Sequence, residues 1–395
     1  MRIPLLLAAW LLTSVAQATP LSAQLEAAWK IDTEARALDA RAGELRARGL
    51  QINSLLAAPP SVAVSYRGDN LTGNTGQREY EAELGLPLWL PGQRNANQSA
   101  LTAEFAALEA ERVARRLNIL GALREKNSTL RRAQADLDMA TARLQEARAL
   151  EADVERRYKA GDLARTDFLA ARMETLAVMR DLSAREVARD AARADLKMLS
   201  GAEQAAPAET TAGVSVVIPP MHPDLVARQA TLAAAQEKLH ATRQNRRDAP
   251  ELSLFGRSER GSGTAVYDNS LGVRFKLPLA TEARNAPLLA QAQGEADIAE
   301  AHAQQVLRMV EAQIKQSERE LTSAKQALEF ARQRAELSQE HYRHLRRAFD
   351  YGERDLATLL RAKALADSAR LEAVLAQVET EIAIGRLNQA LGVMP

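Results

Sequence analysis

Cysteine is absent from this chain of 395 residues, aromatics make up 4% of it, and 52 basic side chains against 51 acidic ones leave a formal net charge of only +1. The first absence excludes a disulfide framework, a thiolate metal site and the acceptor of an N-terminal lipid anchor. Scarce aromatics argue against a compact mixed core, and the charge balance leaves no basic excess for nucleic acid. Beyond its first residues the chain has no apolar run approaching the ~20 residues of a spanning helix. A phosphate-binding glycine loop, a nucleophile elbow and a histidine-glutamate metal motif are also missing, so the sequence offers no catalytic residue and no cofactor site.

What is present is charge at 26%, with Ala, Arg, Glu, Gln and Leu dominant, the profile of long helices. At the start, Arg2, the apolar Ile3 to Leu12 and the small-x-small run Ala16-Gln17-Ala18 predict a signal peptide over 1–18. Further on, Leu123, Leu130, Leu137 and Leu144 recur every seven residues beside a second row, Ala133, Ala140, Ala147 and Val154. Two such rows make a coiled-coil seam, with alanines allowing a close neighbour. An offset of 191 carries the first row to Ile314, Leu321, Leu328 and Ala335, and the second to Ala324, Ala331, Ser338 and Leu345. The chain is built twice.

Each copy has the same plan. The first, over 19–201, opens with one helix from Leu21 to about Leu56, stopped by Pro59-Pro60. Alternation then predicts strands at about 61–67 and 79–88, and a helical hairpin follows over about 97–200, broken at Tyr158 to Gly161, with Asp162 or Thr166 to cap the return helix. At 1.5 Å per residue its outgoing helix would be roughly 90 Å long. A connector rich in Ala, Thr, Val and Pro spans 202–220. The second copy, 221–395, places strands at about 251–257 and 270–279 and a hairpin at about 283–392. Pro87 and Pro278, Gly161 and Gly352, and Gly201 and Gly392 keep the offset.

Four strands apolar on one face and polar on the other have too few partners for a soluble core. Their length suits a tilted crossing of a bilayer, with lipid on one side and water on the other. Glu79, Glu81 and Glu83 in the first copy and Arg274 and Lys276 in the second would then face an aqueous lumen. A barrel in lipid must be closed, and four strands are too few, so several chains must share one. The aromatics Tyr66, Tyr80, Trp89, Phe255, Tyr267 and Phe275 fall in or beside the strands, as interfacial belts require. A small soluble sheet capping a helical bundle is the alternative.

The leader, the doubled plan, the strand ends Leu86-Pro87-Leu88 and Leu277-Pro278-Leu279, the tip segments Tyr158 to Leu163 and Phe349 to Arg354, and the ending Leu387 to Gly392 together resemble the TolC family of outer-membrane efflux channels. The likeness covers nearly the whole chain after the leader. It implies a mainly helical protein with a membrane β-barrel, a homotrimer with four strands per chain in a twelve-stranded barrel, continued by a helical periplasmic tunnel. Its tips would dock onto a periplasmic adaptor (membrane fusion protein) and an inner-membrane pump of the RND type. Tyr158, Gly161, Thr166, Asp167, Phe349, Gly352 and Arg354 match its tip and gate positions. The acidic ring of the best-known members would fall at Thr358 and Arg361, which are not acidic, although Asp162, Glu353 and Asp355 lie nearby. The short connector, the short C-terminal end and the run Leu88-Trp89-Leu90-Pro91-Gly92-Gln93-Arg94 are similar to the CzcC-like branch that serves heavy-metal pumps.

No residue identifies a cargo. His341 and His344, three apart on a helix, have a spacing that can hold a metal, but without a third ligand they read as a solvated face. Two other functions use related parts: a type I secretion exit channel with the same fold, and a periplasmic adaptor or coiled-coil scaffold, which usually carries one helical hairpin rather than two.

Overall fold

The computed structural model describes residues 19–71, 73–211 and 221–395. The expected signal peptide and the 212–220 part of the connector lie outside them. The described chain runs α1 (Leu21–Ile31), α2 (Thr33–Asn53), β1 (Ser61–Gly68), β2 (Arg78–Pro87), α3 (Gln93–Ala160), α4 (Arg165–Ser200), α5 (Pro223–Gln244), β3 (Glu251–Arg260), β4 (Asp268–Lys276), α6 (Glu282–Asp350) and α7 (Leu356–Ala390). Helix, hairpin, long helix and return helix therefore occur twice. Among the described residues no helix is long and apolar enough to cross a membrane.

Two compact units share the chain. One takes in the described residues of Asp32–Arg115 and Ile218–Ala312, and the other those of Met1–Ile31, Arg116–Val217 and Gln313–Pro395.

In the first unit β1 to β4 form one antiparallel sheet in sequence order, so β2 and β3 join the two copies. Residues directly opposite share a face. Val62, Leu84, Leu254 and Val273 therefore lie on one side, and Ala63, Glu83, Phe255 and Gly272 on the other. β3 runs three residues further than its sequence pattern suggests, because pairing with β2 continues to Arg78 opposite Arg260. β4 stops at Lys276, and Leu277 to Leu279 are unpaired. Its partner β3 begins at Glu251, after Pro250, which has no N–H to extend the ladder.

The expected single first helix is two. Asp32 is extended and caps α2, accepting the Ala35 N–H at 2.8 Å while Arg115 binds both carboxylate oxygens at 3.1 and 2.6 Å. This pairing holds the Asp32 carboxyl below its usual range. α2 ends at Asn53 rather than Leu56, because its last carbonyls are taken: Arg94 donates to Ile52 O and Asn53 O at 3.1 and 2.8 Å, and Trp89 Nε1 to Ser54 O at 3.1 Å.

In the second unit α3, from Arg116 on, carries the core. Leu117, Leu120 and Leu123 pack with Leu21, Leu25 and Ala28 of α1 and with Ala192 and Leu196 of α4. Buried polar side chains fix the start of the connector against it. Asn127 donates to Gln24 Oε1 at 2.7 Å and accepts the Ala206 N–H at 2.6 Å, and Arg124 binds Glu209 at 2.8 Å, Gln389 at 2.6 Å and Val393 O at 3.1 Å.

Candidate functional site: a two-faced sheet and a charged helical tip

One face of the sheet is polar. Arg257 reaches Glu79 at 3.1 Å and Glu81 at 2.8 Å, Arg274 reaches Glu81 at 3.1 Å and also Glu83, and Arg67 lies 3.7 Å from Glu79. The three glutamates expected along the lumen thus form one ladder with three arginines, which leaves this face polar without a strong excess of either sign. Arg274 belongs to this ladder, and Lys276 sits opposite Glu251 at its end. The other face is apolar and open, with Val62, Val64, Leu254, Leu271, Val273 and Phe275 exposed.

One aromatic departs from the expected belts. Phe255 lies on the polar face in mid-strand, opposite Gly272, where an added Cβ would collide with its ring. The Arg274 guanidinium stacks over it at 4.8 Å. Tyr66, Tyr80 and Tyr267 do cluster, with centroids 5.1 and 6.3 Å apart, and Trp89 is bound at the helix side of the strands.

At the tips, the two turns are copies. Gly161 and Gly352 have φ of 89° and 78°, the left-handed conformation that glycine adopts without strain. Gly161 and Asp162 N–H donate to Tyr158 O and Arg157 O at 3.0 and 2.9 Å, and Gly352 and Glu353 N–H to Phe349 O and Ala348 O at 3.0 and 2.8 Å. Neither Asp162 nor Thr166 is the cap. α4 starts after Ala164, whose N–H the Asp167 carboxylate accepts at 3.3 Å.

Phe349 is a core residue, packed with Leu150, Val154, Ala171, Leu356 and Leu359. Tyr158 stacks on Phe168 at 5.7 Å and 8°. Thr166 and Arg354 are exposed.

The links between α3 and α6 here come from residues that sequence reasoning did not single out. Arg157 pairs with Asp350 at 3.0 Å and Asp153 at 3.4 Å, and Arg346 with Asp153 at 3.1 Å and Asp350 at 3.2 Å. Both guanidiniums also lie over the Phe349 ring, at 5.2 and 6.0 Å. Asp153 and Arg157, and Arg346 and Asp350, are each four apart on one helix face; that spacing was the available signal, but nothing local says the two pairs meet.

Farther from the turns, Lys363 is buried and pairs with Glu146 and Asp367, both at 2.8 Å. Burial works against its charge, but these two carboxylates prevail and hold the ammonium above the usual lysine range.

His341 and His344 are exposed, and His344 lies 3.7 Å from Glu340. Among the described residues no group of three or more His, Cys, Asp or Glu could hold a metal. The run Leu88 to Arg94 serves the strand-to-helix junction: besides Trp89 and Arg94, Gln93 donates to Arg247 O at 3.2 Å, and Gly92 turns at φ 85°.

A doubled strand-and-hairpin chain whose sheet has one lipid-compatible face and one ion-paired face defines an outer-membrane channel subunit. The model of the outer membrane efflux protein family matches residues 30–202 and again 221–393. The two matches are offset by the same 191 residues (221 − 30 and 393 − 202). The chain belongs to this family, a family of passive channels rather than enzymes, located in the outer membrane and extending into the periplasm.

Its fold is similar to that of several solved channels. The outer membrane protein VceC of Vibrio cholerae superposes with a TM-score of 0.74 at 18% identity, over 94% of this chain and 96% of that one. CusC gives 0.73 at 17%, over 95% and 93%. The open MtrE channel of Neisseria gonorrhoeae gives 0.67 at 19%, over 94% and 89%. No curated protein matches in sequence.

Proposed function

We propose that three copies of this chain close one twelve-stranded barrel and act as the passive exit duct of a tripartite efflux system. A periplasmic adaptor opens it at the helical tips and an inner-membrane pump of the RND type drives it. The observation that carries this reading is the sheet's pair of open edges. β1 and β4 each have one partner, and an unpaired strand edge in hydrocarbon costs several kcal/mol per group, so further copies must cover them.

Exposed apolar rows on two helices support the same assembly. α4 presents Leu169, Met173 and Leu176, and α6 presents Phe330 and Leu337, seven residues apart. Two different patches that meet head to tail generate a ring when the rotation closes.

The gate is assigned to the tips. The Asp153, Arg157, Arg346 and Asp350 cluster ties α3 to α6 and has to yield before the hairpins part, while exposed Thr166 and Arg354, with Asp167, form the rim an adaptor meets. Heavy-metal cations are the proposed cargo class, on the likeness of the Leu88 to Arg94 run and of the short connector and C-terminal end. Purified channels in planar bilayers test the gate: D153N/D350N raises conductance above wild type, whereas R354A, on the rim, leaves it unchanged until an adaptor is added. Unchanged conductance in D153N/D350N removes the gate assignment. Cells lacking the chain should accumulate divalent metal, and failure to secrete a protein with normal metal content would favour the secretion channel instead.

A further inference from the structure

On the wet face of the sheet every strand arginine meets a glutamate. The apolar face treats arginine differently. Arg78 and Arg260 stand directly opposite each other in the β2–β3 ladder, on the same side as Tyr80, Leu84 and Leu254. Among the described residues neither has a carboxylate within 4.0 Å. Like charges directly across a ladder repel, so the pair is unfavourable unless an anion sits between or beside the two groups. Arg260 donates through Nε to Gly76 O at 3.2 Å and lies over the Tyr267 ring at 5.1 Å, while the buried Nε of Arg78 has no hydrogen-bond partner. Tyr66 and Tyr80 complete the surround.

The position of the pair matters as much as its charge. α2, α3, α5 and α6 all connect to one end of the sheet, and the turns between β1 and β2 and between β3 and β4 lie at the other. Since the helices extend into the periplasm, the turn end faces the cell exterior. The two guanidiniums therefore sit at the outer water boundary of the lipid-facing surface, level with rings of the type that mark that boundary. Lipid there is lipopolysaccharide, whose lipid A carries phosphate groups. A planar guanidinium matches phosphate with two parallel hydrogen bonds and retains its charge at any physiological pH.

We propose that Arg78 and Arg260, framed by Tyr66, Tyr80 and Tyr267, form a binding site for the phosphate of lipid A in the outer leaflet, one site on each subunit. The tyrosines supply an amphipathic frame for sugar and acyl chain, and the arginines remove their mutual repulsion by sharing one anion. The site is external to the duct and independent of what the duct carries.

The full chain in nanodiscs tests this by native mass spectrometry of bound lipid, with three lipid compositions: phosphorylated lipid A, dephosphorylated lipid A, and phosphatidylethanolamine alone. Wild type retains phosphorylated lipid A and releases the dephosphorylated form. R78Q/R260Q lowers retention on the order of tenfold for each charge-assisted hydrogen bond removed. R78K/R260K keeps part of it, and R67Q, on the wet face, matches wild type. Equal retention of both lipid A forms by wild type overturns the proposal, as does wild-type retention in R78Q/R260Q. Displacement of the lipid by millimolar inorganic phosphate would make it a site for free phosphate and also overturn it. Should R78Q/R260Q fail to assemble, the wild-type comparison of the two lipid A forms still decides.

Discussion

α3 and α6 are copies of one another, 68 and 69 residues long, yet their environments differ. In the hairpin unit α3 has helices on two sides. α4 meets it through Lys126 with Asp195 and Glu151 with Arg172, and α7 through Glu146 with Lys363 and Arg131 with Glu381. Both of its sevenfold rows are closed over, from Leu123, Leu130, Leu137 and Leu144 to Ala140, Ala147 and Val154. α6 has α7 on one side, through Arg334 with Glu372 and Arg332 with Gln377, and meets α3 near the tip, through Asp350 with Arg157 and Arg346 with Asp153. Its first row, Ile314, Leu321 and Leu328, is buried, but Phe330 and Leu337 stand 69% and 68% exposed. The copy whose seams are closed over marks the face of α6, at Phe330 and Leu337, that stays bare within one subunit.

The sharpest way to break that comparison is to delete apolar volume from each helix. Leu123 is fully buried, so L123A should cost about 2–5 kcal/mol through the transfer energy forgone and the cavity left behind. L337A should change subunit stability by no more than about 0.5 kcal/mol, as surface substitutions do, while shifting the oligomer toward smaller species. Thermal unfolding by circular dichroism and mass by light scattering, both in detergent, separate the two effects. If L337A unfolds the subunit as L123A does and leaves the oligomer intact, α6 has no bare side.

The return helices carry a second contrast. Lys363 in α7 occupies the position of Arg172 in α4, 191 residues earlier. Arg172, with its side chain 56% exposed, binds Glu151 of its own hairpin, whereas Lys363, 5% exposed, crosses to Glu146 of the other hairpin. K363M removes the buried cation between Glu146 and Asp367, which keep Arg370 at 3.4 Å and Arg143 at 3.6 Å, and should cost about 1–3 kcal/mol. R172A takes an exposed arginine from the buried Glu151, which keeps its Thr175 contact, and should cost about 1–2 kcal/mol.

The two ties also respond to opposite ends of the pH scale. Burial raises the Glu151 carboxyl, but Thr175 and Arg172 together outweigh it and hold it below its usual range. Its contribution is full above the ordinary glutamate value of about 4.3 and is lost as pH falls through the depressed one. Lys363 is raised, so its contribution is full below the ordinary lysine value of about 10.4 and is lost as pH rises through the higher one. Stability followed from pH 2 to 6 should lose its acid-sensitive component in part in E151Q, and an unchanged profile would remove Glu151 from the account.

Much of this was legible in the sequence because the information was periodic or repeated. Sevenfold rows, alternating strands and an offset shared by Pro87, Gly161 and Gly201 with their second copies fix the element order and the identity of the polar strand face. What stayed hidden depends on contacts between distant segments. Asp32 divides the first helix because Arg115, far along the chain, stabilises its carboxylate as a cap. Phe255 faces the wet side because Gly272 opposite leaves room for its ring. The Asp153, Arg157, Arg346 and Asp350 cluster needs α3 and α6 to lie side by side, and neither helix alone announces that.

The smallest difference between the copies lies at the first turn of each return helix. In α7 the cap is Asp355, which accepts the Thr358 N–H at 2.9 Å and, through Thr358, has its carboxyl held below the usual range. In α4 the equivalent position is Ala164, which has no acceptor. The carboxylate has moved three residues on, to Asp167, which reaches back to the Ala164 N–H at 3.3 Å. One is the forward arm of a capping box and the other the return arm. D355A exposes an orphan N–H of the helix and should cost about 0.5–2 kcal/mol, and D167A less, since only the cap residue's own N–H loses its partner. Hydrogen exchange at the Thr358 and Ala164 amides reads the two separately. Equal acceleration at both sites would mean that the two turns, despite their different chemistry, hold their helices equally well.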